Sequence, residues 1–99
     1  MTTIFTDYFN QAQLSLAAYA DLSDLSNINI IIQALRDAGM SDTQARLFLG
    51  VDENGNEDEF KGYEIIDHLP NTNSGFSATI FRNKETGEIT FETKGVGGT

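Results

Sequence analysis

The stretch from Gly75 to Thr93, GFSATIFRNKETGEITFET, decides the fold of this chain. Apolar and polar side chains alternate over residues 76–82 and again over 88–93, which is the period-2 pattern of paired β-strands. The link NKETG between them is short enough for a hairpin loop, and its glycine, Gly87, readily adopts a positive φ. The stretch therefore predicts an antiparallel β-hairpin.

A hairpin of two strands is only marginally stable in water, so the earlier part of the chain must cover one of its faces. The second face and the edge strand would then stay open to solvent or to a partner. We expect Ser77, Thr79 and Thr90 to lie on this open face, where their hydroxyls make it less apolar without closing the edge.

The first predicted helix covers residues 4–20. Apolar and aromatic side chains recur in it at helical spacing and form one stripe. The stripe consists of Phe5, Tyr8, Phe9, Ala12, Leu16 and Tyr19. Aromatic residues at this spacing belong to a core far more often than to a platform for ligand stacking. We therefore expect the stripe to face the core.

Two shorter helices are predicted over residues 28–38 and 42–49. A polar break with Ser26 and Asn27 supplies the cap of the first of them. The second opens at Ser41 with a capping-box sequence, in which a glutamine follows the capping hydroxyl by three residues. Both helices are followed by a glycine, which commonly ends a helix.

One further strand is predicted over residues 63–67, and a turn around Pro70 leads from it into the hairpin. No repeat or linker divides the chain, so residues 1–99 are expected to form a single small domain. Three helices followed by three strands predict an α+β fold. In it, three N-terminal helices pack on a small antiparallel sheet that contains the C-terminal β-hairpin.

The composition excludes some classes of function. The net charge is −9, from fifteen acidic and six basic residues, so the clustered cations that bind nucleic acid are missing. No apolar run approaches the ~20 residues of a membrane-spanning helix. The chain has no cysteine, which excludes disulfides and thiolate metal sites. Solubility is the simplest reason for the charge, with a basic protein partner or calcium as alternatives.

An acidic loop over residues 52–59 has oxygen-bearing side chains at alternate positions, as a calcium loop requires. The candidate ligands are Asp52, Asn54, Asn56 and Asp58. Glu57 stands where such a loop has its turn glycine, and Tyr63 stands where it has its bidentate acid. A solvated acidic turn is therefore favoured over a calcium site, and no cofactor is predicted.

No catalytic residue is predicted. The sequence lacks the GxSxG, GxxxxGK[ST], HExxH and CxxC motifs of acyl transfer, phosphate binding and metal chemistry. His68, the one histidine, is expected in a turn after the strand, with no catalytic partner at a revealing spacing. The glycine-rich segment 94–99 suits either an anion-binding loop or a frayed end, and composition favours the frayed end.

Four segments resemble, in order, the N-terminal region of bacterial class 3 lipase-like α/β hydrolases. They are AQLSLAAYADL, ALRDAGMSDTQARLF, YEIIDH and GFSATIFRNKETGEITF, within residues 12–91. The closest likeness is to large secreted members with glycine-rich calcium-binding repeats. The resemblance implies a structural region that precedes the catalytic serine, acid and histidine. It also implies secretion without a cleavable N-terminal signal.

In that family the second hairpin strand runs into an Arg-Gly-Thr turn that helps to form the oxyanion hole. Lys94, Gly95 and Val96 stand at that place here, so Gly95 and Val96 are the oxyanion residues that the resemblance carries over.

Two functions follow as hypotheses. The first is a noncatalytic N-terminal portion of a lipase-like hydrolase, which contacts the rest of its parent protein or self-associates through the hairpin edge. The parent activity would be hydrolysis of esters or lipids. The alternative is an autonomous acidic interaction domain of the inhibitor or immunity type, with a basic protein as its partner.

Overall fold

The computed structural model describes residues 4–69 and 77–94, with residues 4–9 described by their backbone alone. Three helices precede three strands. They are α1 (Ile4–Ala18), α2 (Ile28–Asp37), α3 (Asp42–Leu49), β1 (Tyr63–Leu69), β2 (Ser77–Asn83) and β3 (Ile89–Lys94). This confirms the predicted α+β layout and the hairpin near the C-terminus. The predicted turn around Pro70 lies outside the described residues.

The three strands form one antiparallel sheet in the order β1-β2-β3, so β2 is central. The register between β1 and β2 shifts between Ile65 and Asp67, where a β-bulge adds one residue to β1. Ile65 packs against the core, whereas the neighbouring Ile66 is exposed. The bulge thus accommodates two consecutive isoleucines in a strand of which only one face is covered.

The β2–β3 hairpin closes through hydrogen bonds of Asn83. Its side-chain Oδ1 accepts from the backbone N–H of Glu85 at 2.9 Å and from that of Thr86 at 3.2 Å. Its carbonyl accepts from the N–H of Gly87 at 2.7 Å. Gly87 has a φ of 79°, the conformation expected of it from the sequence.

Local capping explains where α2 and α3 begin. The side chain of Asn27 accepts from the N–H of Asn29 at 2.8 Å, and Ser41 Oγ accepts from the N–H of Gln44 at 3.0 Å. The predicted third helix has the bounds that its capping box indicated. Gly50 ends it in the left-handed conformation, with φ 68°.

The core lies between the helices and one face of the sheet. Phe81 is fully buried on the central strand and meets the ring of Phe48 edge-on, with centroids 5.8 Å apart. The ring of Tyr63 of β1 stacks on the ring of Phe48, with centroids 5.0 Å apart. These aromatic contacts join α3 to β1 and β2.

For β2, the prediction of which side chains lie on the open face of the hairpin is wrong. Ser77 and Thr79 point towards the helices and are buried, Thr79 to 1% exposure, because they share a side of the strand with Phe81. The opposite side of β2 carries Ala78 and Ile80, which are only partly buried. The sheet therefore places hydroxyls in the core and apolar groups on its open face.

The predicted core stripe of the first helix is confirmed at Leu16, which is partly buried against the core, and is wrong at Ala12 and Tyr19. Ala12 is exposed and Tyr19 is 63% exposed, just beyond the end of α1. The buried side chains of this helix are instead Gln13, Leu14, Ala17 and Ala18. Two alanines let the helix approach the core closely, and the larger aromatic side chain is left at the rim. The side chains of Phe5, Tyr8 and Phe9 lie outside the described part.

Among the helices that the structure describes, none combines the length and the apolar character needed to cross a bilayer.

Candidate functional site

One face of the sheet points away from the helices and carries an apolar cluster, which we call the outer face. It consists of Leu69, Ala78, Ile80, Ile89 and Phe91. Ile89 and Phe91 are 57% and 59% exposed, and Leu69 is about half exposed. Large apolar side chains grouped on one surface are typical of a surface that contacts other protein.

The strand register makes the outer face continuous. Ile80 of the central strand lies directly opposite Phe91 of β3, and Ala78 lies opposite Leu69 of β1. Side chains in such cross-strand positions are in contact distance of each other. At one end of the face Arg82 forms an exposed ion pair with Glu64, at 3.7 Å. Asp67 of β1 lies opposite Ile80 as well. The charged groups therefore lie at one end of the face and along β1, beside the apolar cluster.

The outer face continues onto an edge strand. Within the described sheet β3 pairs only with β2, so its second side presents free backbone donors and acceptors. Lys94 at the end of this strand lies over the ring of Tyr19, 5.4 Å from its centroid, on the helical side of the sheet. In the described part of the chain the helices thus contact β3 from one side, and no strand pairs with its second edge.

The acidic loop is closed by its own hydrogen bonds. Asp52 Oδ1 accepts from the backbone N–H groups of Asn54 and Asn56, both at 2.9 Å. These bonds, foremost that from Asn56, lower the pKa of the Asp52 carboxyl below its usual value. Gly55 takes the positive φ of 86° that completes the turn. Asp52 thus acts as the cap of its own loop.

The other candidate calcium ligands have local partners as well. Asn56 Nδ2 donates to Asp52 Oδ2 at 3.4 Å, and Asp58 Oδ1 accepts from the N–H of Phe60 at 2.8 Å. Over the described ranges no group of three or more His, Cys, Asp or Glu side chains is placed to hold a metal ion. Calcium binding through Asp52, Asn54, Asn56 and Asp58 stays the less favoured alternative to a solvated acidic turn.

His68 lies inside β1 and not in a turn after it, because β1 extends to Leu69. The register places it beside Thr79, and its Nδ1 lies 2.7 Å from Thr79 Oγ1. Burial lowers the pKa of the imidazole, and the carboxylate of Asp21 partly opposes that shift. This pair explains how a threonine hydroxyl is accommodated in the core.

The His68–Thr79 pair was not predicted from the sequence. The two residues are eleven positions apart on different strands, and only the register brings them together. The hydroxyl of Thr79 is buried and His68 is partly buried, and the bond between them links the two strands to each other. The predicted oxyanion residues Gly95 and Val96 lie outside the described residues.

No protein-family model matches this chain, and neither the curated proteins nor the solved structures include a significant match to it. Its function has to be inferred from its own surfaces.

Proposed function

We propose that this chain is a noncatalytic N-terminal portion of a lipase-like α/β hydrolase, with a structural role in a parent protein that hydrolyses esters or lipids. The observation that supports the proposal is the outer face. The open face of an antiparallel sheet is usually polar, whereas the open face of this sheet carries the exposed apolar side chains of Leu69, Ile89 and Phe91. The apolar side chains of this face suit further protein of the same fold.

The resemblance in sequence supports the same proposal. Its four segments lie along the chain in order: one on α1 and the residues after it, one across α2 and α3, one on β1, and one on β2 and β3. The likeness thus extends over most of the chain and is not confined to one helix.

Ester hydrolysis of the lipase type needs a serine nucleophile, a histidine base and an acid that orients it. The single histidine, His68, is hydrogen-bonded to Thr79 inside the sheet. We therefore assign the chain the task of forming a layer of the fold, and the hydrolytic residues to the rest of the parent protein.

In this proposal the occupant of the outer face is the rest of the parent hydrolase. The centre of the face is apolar, so burying it is favourable at about 25 cal/mol per Å² of apolar surface removed from water. Without that occupant, the isolated chain should associate with itself through the same face or through the β3 edge.

The test is multi-angle light scattering of the purified chain over a wide range of concentration, in salt that screens its net charge of −9. The average mass should rise with concentration. In the double variant Ile89→Thr/Phe91→Thr it should stay at the monomer value. Threonine keeps a high strand propensity, and both side chains are more than half exposed, so the variant should fold.

The matched control is Leu47→Ser, which removes an exposed apolar side chain that lies outside the sheet. It should associate like the unmodified chain. A strict monomer at every concentration, or equal association of the double variant, would count against the outer face as a contact surface.

Two further observations bear on the hydrolase kinship. The genomic reading frame beyond the codon of Thr99 should continue into a serine elbow, and a stop codon with no related frame downstream would contradict this. The chain alone should not turn over short-chain esters. Sustained turnover by a homogeneous sample would overturn the noncatalytic role.

A further inference from the structure

A groove of about 650 Å³ lies between the C-terminal end of α3 and the acidic loop with the segment that follows it. Two large apolar side chains, Leu47 and Phe60, line it, and each is 70% exposed. Val51, which is largely buried, lies between these two residues in the sequence and also lines the groove. Grooves of several hundred Å³ with apolar linings are the size that accommodates side chains of a ligand or peptide.

The walls of the groove are held by contacts between backbones. The N–H of Asp58 donates to the carbonyl of Gly50 at 2.7 Å. Gly50 and Gly62 both have positive φ, and the backbones pass so closely that a Cβ at Gly62 would lie 2.7 Å from the carbonyl oxygen of Phe48. A groove with walls fixed in advance loses little conformational entropy when a ligand binds.

The rim of the groove is acidic on balance, because four carboxylates line it against two cations: Asp52, Glu57, Asp58 and Glu59 against Arg46 and Lys61. Glu57 and Glu59 are exposed, and neither forms an ion pair with any residue in the described part of the chain. The guanidinium of Arg46 also borders the groove, but it donates to Asp42 Oδ2 at 2.9 Å and to the carbonyl of Asp52 at 3.3 Å. Its charge is thus largely directed at its own neighbours.

We infer that this groove binds a basic segment of another protein, which places a large apolar side chain between Leu47 and Phe60 and lysine or arginine beside Glu57 and Glu59. Charge complementarity identifies the partner. A second copy of this chain would bring a net charge of −9 to an acidic rim, and nucleic acid would bring phosphates to it. A basic protein segment meets both the apolar groove and the acidic rim.

The inference does not depend on the proposed hydrolase role. The groove lies at the end of α3 and shares no residue with the outer face. An isolated interaction domain could use it, and so could one layer of a larger enzyme. Variants of the two surfaces can therefore be scored separately.

The test uses a fluorescein-labelled peptide of alternating lysine with leucine and phenylalanine as the probe. Two control peptides have the same length: one has glutamate in place of lysine, and the other has serine in place of the apolar residues. Fluorescence anisotropy should show binding of the basic apolar peptide only. Nuclear magnetic resonance shifts on its addition should centre on Leu47 and Phe60. Binding should weaken as salt is raised, because exposed charges are screened.

Four variants locate the site. Leu47→Ser and Phe60→Ser should each weaken binding about tenfold, because an apolar contact is lost. Glu57→Gln/Glu59→Gln should weaken binding at low salt and flatten its salt dependence. Ile89→Thr, on the outer face, is the matched apolar control and should bind like the unmodified chain. All five substituted side chains are exposed, so folding should be preserved.

The inference is overturned by any of three results: equal binding of the glutamate peptide, unchanged binding by both serine variants, or chemical-shift changes that centre on the outer face. Absence of binding by the basic peptide would overturn it too. If Ile89→Thr/Phe91→Thr abolishes self-association but leaves peptide binding intact, the two surfaces are separate, as we infer. If the chain self-associates as expected but does not bind the basic peptide, the groove inference is overturned and the proposed function is unaffected.

Discussion

The ammonium nitrogen of Lys84, in the turn between β2 and β3, lies 2.8 Å from the carbonyl oxygen of Leu49, the last residue of α3. It also donates to the carbonyl of Asp58 at 3.0 Å. The last carbonyls of a helix lack partners within the helix, and a cation there interacts favourably with the helix dipole. One lysine thus connects the hairpin to the end of α3 and to the acidic loop.

The first prediction concerns this lysine. Lys84→Met keeps the length of the side chain but removes its donors, so two carbonyls lose a partner. We expect the free energy of unfolding to fall by about 1–3 kcal/mol, the cost of leaving such groups unsatisfied. Urea unfolding followed by circular dichroism measures it. Lys61→Met, at an exposed lysine, is the matched control and should change stability little. Equal effects of both substitutions would contradict the role of Lys84.

The second prediction separates steric overlap from backbone strain. Gly55 and Gly62 both have positive φ, 86° and 78°. An added Cβ at Gly55 would meet nothing within 4 Å, whereas at Gly62 it would meet the backbone of Gly50 and Phe48. Alanine at either position costs about 1–2 kcal/mol for the left-handed conformation. Gly62→Ala should therefore lower the melting temperature clearly more than Gly55→Ala, and equal losses would rule out the close approach.

Local signals in the sequence predicted the elements. The cap at Ser41 and the glycine after Leu49 located α3 to the residue, because capping depends on neighbours a few positions away. The alternation of β2 and β3 and the turn glycine Gly87 located the hairpin for the same reason.

The faces of the elements were harder to predict. Both sides of β2 offer apolar residues. The side with Thr79 is buried because it also carries Phe81, and His68, on another strand, accommodates the threonine hydroxyl. The small Ala17 and Ala18, and not Tyr19, set the face of α1 that is buried. Such choices depend on contacts between distant parts of the chain, which periodicity does not report.

The groove was missed for a similar reason. Leu47 lies on α3 and Phe60 in the turn before β1, and nothing in their spacing relates them. The acidic stretch was visible, but it was interpreted as a solvated turn or a calcium loop. The signal that could have identified a groove was the pair of large apolar residues that flank it.

The third prediction concerns the acidic loop. Because Asp52 Oδ1 accepts from two backbone N–H groups, Asp52→Ala should speed hydrogen exchange of the amides of Asn54 and Asn56. The pKa of Asp52 is lowered from its usual value of 3.8, so above pH 3.8 the carboxylate is ionised and the protection of these amides is complete. The protection is lost as the pH falls through the folded-state pKa. Glu53→Ala is the neighbouring control and should leave exchange unchanged. Unaltered exchange in Asp52→Ala would show that another group closes the loop.

The fourth prediction concerns the pH dependence of stability. Burial lowers the pKa of His68 in the folded chain, with Asp21 and Asp67 opposing the shift and Lys94 adding to it. The unfolded chain, whose histidine has a pKa of about 6.5, therefore binds the proton more readily. Stability from this group should be fully present above that value and should fall as the pH drops towards the folded-state pKa.

The matched variant for the fourth prediction is His68→Gln, which keeps an acceptor near Thr79 Oγ1 but does not titrate. Urea unfolding of both chains from about pH 8 to about pH 5 stays above the usual range of the carboxylates. The free energy of unfolding of the unmodified chain should decline with acidification across this window. That of His68→Gln should change less, because only the histidine is removed from the titration. Parallel curves for the two chains would show that His68 is equally accessible to protons in both states, and that its bond to Thr79 does not depend on the neutral ring.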